Sequence, residues 1–204
     1  MTDHPTLTAF ARECLQHIPT ASKKPEKYRF RNRFTHTLRV MKWCERLLEE
    51  VPADSDVVMA SAALHDIGYT VSAQDHALHG AIMAENFLRE KGYEESFLLN
   101  VSDLISRHSD KRLPTEKMSN ELIILQDADC LDEIGALTVL WDAMAEGARE
   151  EQSYEATLQR IEDSYASITA RNRSLKSAYG QALYLERLDV LRRYIEDARY
   201  ELFL

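Results

Sequence analysis

The chain has 204 residues, 45% hydrophobic and 29% charged, an ordinary globular mix with enough length for a real core. It fits one domain over 1–204, with a core at about 30–145 and C-terminal helices at 150–204 packing on it. A formal net charge of −9 excludes tracking a long nucleic acid through bulk electrostatics, and it means that an anionic substrate would need a local source of positive charge.

Six glycines, five prolines and the absence of alternating β-branched runs predict an all-α fold. The expected helices are 5–18, 30–51, 55–66, 75–91, 94–108, 119–132, 135–149, 153–171 and 174–201. Asp54 and Ser55 read as an N-cap pair before "DVVMASAALHD". Gly68, Gly92 and Gly135 fall where helices should stop or turn. The polar stretch "SDKRLPTEKMSN" (109–120), with Pro114, reads as a loop. The last two helices carry many charges, yet Ile161, Tyr165 and Ile168, then Leu183, Leu188, Leu191 and Ile195, give each an apolar side. Cys14, Cys44 and Cys130 are isolated and odd in number, so neither a disulfide framework nor a structural zinc site is expected, and a reducing cytoplasm fits best. No run of 18 apolar residues and no basic-then-apolar leader occurs, so neither a membrane span nor a secretory signal is expected.

Within this helical pattern, "AALHDIGYT" (62–70) interrupts a buried run with two ionisable side chains, His65 and Asp66. Other ligand-capable groups also lie on apolar faces. His36 shares a stripe with Val40, Trp43 and Leu47, and His108 with Val101, Leu104 and Ile105. His76 opens a stripe with Gly80, Met83 and Phe87, and Asp129 follows Leu122 and Leu125. Any one of these histidines alone reads as a core residue bonded to a backbone carbonyl. Buried carboxylates need partners, because an unpaired one loses its hydration. One or two divalent cations would serve several imidazoles and two carboxylates at once, and such donors suit Zn, Fe, Mn, Co or Ni. Asp127 and Asp129 lie two apart and point to roughly opposite sides of a helix, so Asp129, on the Leu122–Leu125 face, is the expected ligand.

The order His36, His65-Asp66, Asp129 resembles the H…HD…D signature of the HD-domain superfamily of metal-dependent phosphohydrolases. The flanking "THTLRV", "AALHDIG", "HALHGA", "ISRH" and "LQDADCLDEIGAL" fit it too. The chain looks most like the small stand-alone bacterial members, most specifically over about 30–145. The resemblance implies an all-α bundle that binds a divalent ion (Mn, Fe, Co, Ni, Zn or Mg) through His36, His65, Asp66 and Asp129. It implies that His76, four residues before Gly80, and His108 can supply a second, weaker site. It also implies hydrolysis of a phosphoester or phosphoanhydride in a small, nucleotide-like substrate by metal-activated water. In that chemistry Asp66 would orient the water as well as ligate. The candidate phosphate-holding cations are Arg33, Arg39, Arg107, Lys111 and Arg112, with Arg39 and Arg107 favoured for their neighbours. Asp132 would contact the substrate or form a salt bridge. Tyr69 follows Gly68 where cyclic-dinucleotide-cleaving relatives carry lysine, and no GYP signature occurs, which argues against that substrate. The partners expected are a small phosphorylated molecule and, as an open option, a second copy in a homodimer, with no membrane. The alternative readings are an HD-fold di-iron oxygenase acting on a phosphonate or polyol, and a non-catalytic metal- or nucleotide-binding regulator.

Overall fold

The structure, a computed structural model, describes residues 3–19, 30–170 and 175–203. Among the described residues there are nine α-helices and no strand. They are α1 (His4–Leu15), α2 (Arg33–Leu48), α3 (Ser55–Leu64), α4 (His76–Glu90), α5 (Glu95–Arg107), α6 (Asn120–Leu131), α7 (Ala136–Gly147), α8 (Tyr154–Ala170) and α9 (Ala178–Leu202). The expected end of the eighth helix at 171 and start of the ninth at 174 lie outside the described residues. No helix among the described residues is long and apolar enough to cross a membrane.

Contacts divide the chain into two compact units, Met1–Asp132 and Glu133–Leu204. In the first, α3 is the hub. Every residue from Val57 to Leu64 is buried, which is the signature of a helix surrounded by others. It packs against α1, α2, α5 and α6. Its start is fixed by Asp54, whose side chain accepts from the Asp56 and Val57 amides at 3.0 and 3.2 Å. Its end comes two residues earlier than the sequence pattern suggests. After Leu64 the chain turns through His65 and Asp66 into a 3-10 turn at Ile67–Thr70. The His-Asp pair therefore lies at the end of the most buried helix, and neither residue has to fit inside it.

Gly68 does not act as a helix stop. A Cβ there would collide with the His76 carbonyl oxygen and press on the Gly80 amide nitrogen. A Cβ on Gly80 would stand 3.2 Å from the His65 carbonyl and 3.4 Å from the Gly68 amide nitrogen. The two glycines let the first turns of α4 lie directly on the His65–Asp66 turn, and α4 packs on α5 beyond it. Gly92 serves as expected, with φ 77° just after α4.

In the second unit α7, α8 and α9 pack on one another. Leu158, Ile161 and Ile195 form the core, with Val139, Tyr165, Ala198 and Leu202 packed against it. Of the apolar sides expected on the last two helices, Ile161, Tyr165 and Ile195 face into this three-helix group. On α7 the buried carboxylates of Asp142 and Glu146 are met by Arg160 of α8 at 3.1 and 3.9 Å.

Candidate metal centre

Five helices of the first unit bring their donors to one place. His36 lies inside α2, whose N-cap Asn32 accepts from the Thr35 amide at 2.8 Å. His65 caps the C-terminus of α3, and Asp66 follows it. His76 is the first residue of α4, and His108 caps the C-terminus of α5. Asp129 sits in the last turn of α6. His36, His65, Asp66 and His108 are each 4% exposed or less.

Each imidazole is held by its Nδ1. His65 Nδ1 lies 2.8 Å from the Ala62 carbonyl, His108 Nδ1 2.6 Å from the Ile105 carbonyl, and His76 Nδ1 3.1 Å from the Ala73 carbonyl. His36 Nδ1 lies 2.8 Å from Asp132 Oδ2. A carbonyl or carboxylate oxygen only accepts, so each Nδ1 carries the proton and donates it. The four Nε2 atoms are left to face inward, the arrangement that metal-ligating histidines adopt.

The Nε2 atoms converge on Asp66. Its Oδ2 is 3.3 Å from His65 Nε2 and 3.5 Å from His36 Nε2. Its Oδ1 is 3.7 Å from His108 Nε2 and 3.9 Å from His76 Nε2. His36 Nε2 is also 3.4 Å from His65 Nε2 and 3.3 Å from Asp129 Oδ1. Two donors each about 2.0–2.2 Å from one ion stand roughly 2.8–3.6 Å apart. The His36–His65, His36–Asp66, His65–Asp66 and His36–Asp129 separations fall in that span, and those of Asp66 with His76 and His108 lie just outside it. The His36–His65–Asp129 and His65–Asp66–His108 triads each have donor atoms within 4.8 Å of one another. The chemistry and closeness of these donors fit a divalent ion, which His36, His65, Asp66 and Asp129 would hold, and His76 and His108 would be the further donors for a second. Asp127, also buried, belongs to neither triad.

Each carboxylate of the cluster has its own cation. Arg33 Nη1 is 2.8 Å from Asp66 Oδ2, Lys111 Nζ 2.7 Å from Asp129 Oδ2, and Arg39 Nε 2.6 Å from Asp132 Oδ1. Three carboxylates are balanced by three cations, so a divalent ion bound by neutral imidazoles would leave the site positive. That is the local charge an anionic substrate of an acidic protein requires. Burial alone would raise the Asp66 and Asp129 carboxyls, but His65 beside Asp66 and Lys111 beside Asp129 hold both well below the usual range. Burial alone would lower His36. The hydrogen bonds to Asp129 and Asp132 and the charge of Asp66 outweigh it and raise His36 to about 10. Burial, and then the charge of His108, hold His76 below its ordinary value.

The remaining cations differ in where they point. Arg33 lies over the Tyr69 ring at 3.7 Å, and Tyr69 stacks on His76 at 4.2 Å. Arg39 grips Asp132. Arg107 is turned to Asp103 Oδ2 and the Lys117 carbonyl, both at 2.9 Å, and is not brought to the ligand set. Arg112 is exposed. Sequence reasoning did not anticipate the Arg33–Tyr69–His76 stack or the contact of Asp132 with His36. The second had one signal, since Asp132 lies three residues after Asp129 and so shares its side of the helix end.

A family model described as the HD domain matches residues 33–134, half of the chain, and the chain belongs to this family. No curated protein matches the sequence. Among solved structures, an HD superfamily hydrolase from an uncultured Thermotogales bacterium is 22% identical, with a TM-score of 0.64 over 97% of this chain and 91% of its own. An HD-superfamily hydrolase from Bacillus thuringiensis is 19% identical, with a TM-score of 0.66 over 97% and 95%. Bacillus subtilis YpgQ, in a complex with ADP, is 18% identical, with a TM-score of 0.62 over 98% of each chain. These likenesses are of fold.

Proposed function

We propose that this chain is a metal-dependent phosphohydrolase that uses water to cleave a phosphoester or phosphoanhydride bond in a small, nucleotide-like substrate. The observation that carries the reading is the cluster of four inward Nε2 atoms around Asp66, charge-balanced by Arg33, Lys111 and Arg39. His36, His65, Asp66 and Asp129 would hold the principal ion, and His76 and His108 would be the further donors for a weaker second one. When bound, such an ion lowers the pKa of a coordinated water and stabilises charge on phosphoryl oxygens. Asp66 orients the attacking water and does not take its proton, because a carboxyl held so low is a weak base. Arg33 uses Nη1 on Asp66, and among the described residues its Nε has no hydrogen-bond partner, so the guanidinium has a donor left for a phosphate oxygen. Lys111, about one-third exposed beside Asp129, is the second phosphate-holding cation. The ADP complex of YpgQ supports a nucleotide-like substrate here.

The test is phosphate release from nucleotides, dinucleotides and sugar phosphates by demetallated protein resupplied with Mn²⁺, Co²⁺, Ni²⁺ or Mg²⁺. Hydrolysis of at least one nucleotide, lost in Asp66→Asn, is expected. If every compound stayed intact with every metal while iron-loaded protein consumed oxygen with a phosphonate or polyol, the oxygenase reading would replace this one.

A further inference from the structure

His36 is held differently from the other three histidines. Their Nδ1 protons go to nearby carbonyls, at helix C-termini for His65 and His108 and in the preceding loop for His76. The last carbonyls of a helix lack helical partners and are free to accept. His36 lies within α2, where the carbonyl three residues back, Arg33 O, belongs to the helix and also accepts the Thr37 hydroxyl at 3.0 Å. Its ring has to be held from outside the helix, and the C-terminus of α6 does this on both sides. Asp129 Oδ1 stands 3.3 Å from Nε2, and Asp132 Oδ2 stands 2.8 Å from Nδ1. Asp132, with its side chain 2% exposed, is itself gripped at both oxygens. Arg39 Nε donates to Oδ1 at 2.6 Å and Arg39 Nη2 donates to Oδ2 at 3.0 Å. Such a bidentate fork fixes the carboxylate plane as well as its charge.

We infer that Asp132 and Arg39 are positioning residues of the metal centre. Asp132 fixes the tautomer and orientation of His36, and Arg39, one turn along the same helix as that histidine, locks Asp132 without touching phosphate. The inference rests on the metal-dependent reading above. An imidazole that donates Nδ1–H to a carboxylate is a stronger Nε2 ligand, and loss of such a partner costs about 10–100-fold in metal affinity or activity. The arrangement also accounts for a fully formed ion pair beside the site, with the Asp132 side chain buried and in contact with His36.

The experiment titrates demetallated wild type, Asp132→Asn, Asp132→Ala and Arg39→Met with Mn²⁺, and records the downfield proton resonance of His36 Nδ1–H in the metal-free proteins. Asp132→Ala is expected to weaken Mn²⁺ binding about 10–100-fold and to lose the slowly exchanging Nδ1 proton. Asp132→Asn, which keeps an oxygen acceptor at unchanged volume, is expected to fall between wild type and Asp132→Ala, and it carries the test if the alanine variant does not fold. Arg39→Met is expected to weaken Mn²⁺ binding while KM at saturating Mn²⁺ stays within about twofold of wild type. The inference fails if Asp132→Asn and Arg39→Met bind Mn²⁺ as wild type does, or if Arg39→Met raises KM at saturating Mn²⁺ and leaves Mn²⁺ affinity unchanged. The proton resonance is read without metal. A wild type that binds no Mn²⁺ but shows this resonance would therefore overturn the phosphohydrolase reading and retain the positioning of His36. Loss of Mn²⁺ affinity with the resonance unchanged would overturn the positioning alone.

Discussion

At the scale of single residues, His36 links the site to pH. Its pKa of about 10 in the metal-free protein means that a proton occupies the position a metal ligand must vacate. Binding Mn²⁺ at pH 7 should release about one proton, read by calorimetry in buffers of different ionisation enthalpy. Binding without proton release would contradict a protonated His36 in the metal-free protein. Stability of the metal-free protein runs the opposite way. A histidine raised in the folded state contributes stability that is fully present below its unfolded pKa of about 6.5 and is lost as pH rises toward 10. Melting temperature should therefore fall from pH 7 to pH 10 without metal, while Mn²⁺ affinity rises over the same range. For Asp66 the expected effects separate in another way. Asp66→Ala leaves Arg33, with its side chain 12% exposed, without its carboxylate, and breaking a buried pair in this way costs about 3–5 kcal/mol. Urea unfolding of metal-free protein reads that cost apart from activity. A stability equal to wild type would mean that the cluster is held together by other contacts. The choice between the two aspartates of "DAD" is tested the same way. Asp129→Ala should abolish tight metal binding and Asp127→Ala should retain it, measured as metal content after dialysis.

At the scale of elements, most of the helical pattern could be read from periodicity, because most helices bury one stripe, while α3 and α6 bury nearly all of their faces. The donors could also be read, since polar groups on apolar stripes are conspicuous wherever they fall. Two kinds of feature could not be read. The first is the direction of long side chains. Arg39 and Arg107 both lie within three residues of a histidine in sequence, yet one meets Asp132 and the other Asp103 and Lys117, because only the packing of α6 and the loop after α5 decides which partner is within reach. The second is close approach between elements. Gly68 has the spacing of a helix stop, but its reason is the backbone of α4 lying against it. A paired comparison tests this. Gly68→Ala must push the first turn of α4, and His76 with it, away from Asp66. It should cost about 1–3 kcal/mol and diminish the second metal equivalent in a titration. Gly92→Ala meets only its own backbone strain, about 1–2 kcal/mol, because nothing lies within 4 Å of the added methyl. Its metal stoichiometry should not change. Equal effects of the two substitutions on stoichiometry would remove the special role of the Gly68–Gly80 contact.

At the scale of the whole molecule, a net charge of −9 repels an anionic substrate at long range, while Arg33, Lys111 and a bound ion attract it at short range. Salt screens the first more than the second, since the Debye length falls from about 30 Å at 0.01 M to about 8 Å at 0.15 M. The value of kcat/KM for an active nucleotide should rise over that interval, and a steady decline would mean that the attractive field extends well beyond the site. The placement of the donors on five separate helices has a mechanical consequence as well. An ion held by His36, His65, Asp66 and Asp129 would work as a cross-link that closes two loops of the chain, 36–65 and 66–129, much as a set of disulfides would, but one that a chelator can undo. At a free concentration about 1,000 times its dissociation constant it would add about 4.1 kcal/mol to the barely positive balance of folding. Proteolysis under native conditions would then slow on loading with metal, and the helix ends that carry the donors would be the last parts of the first unit to open.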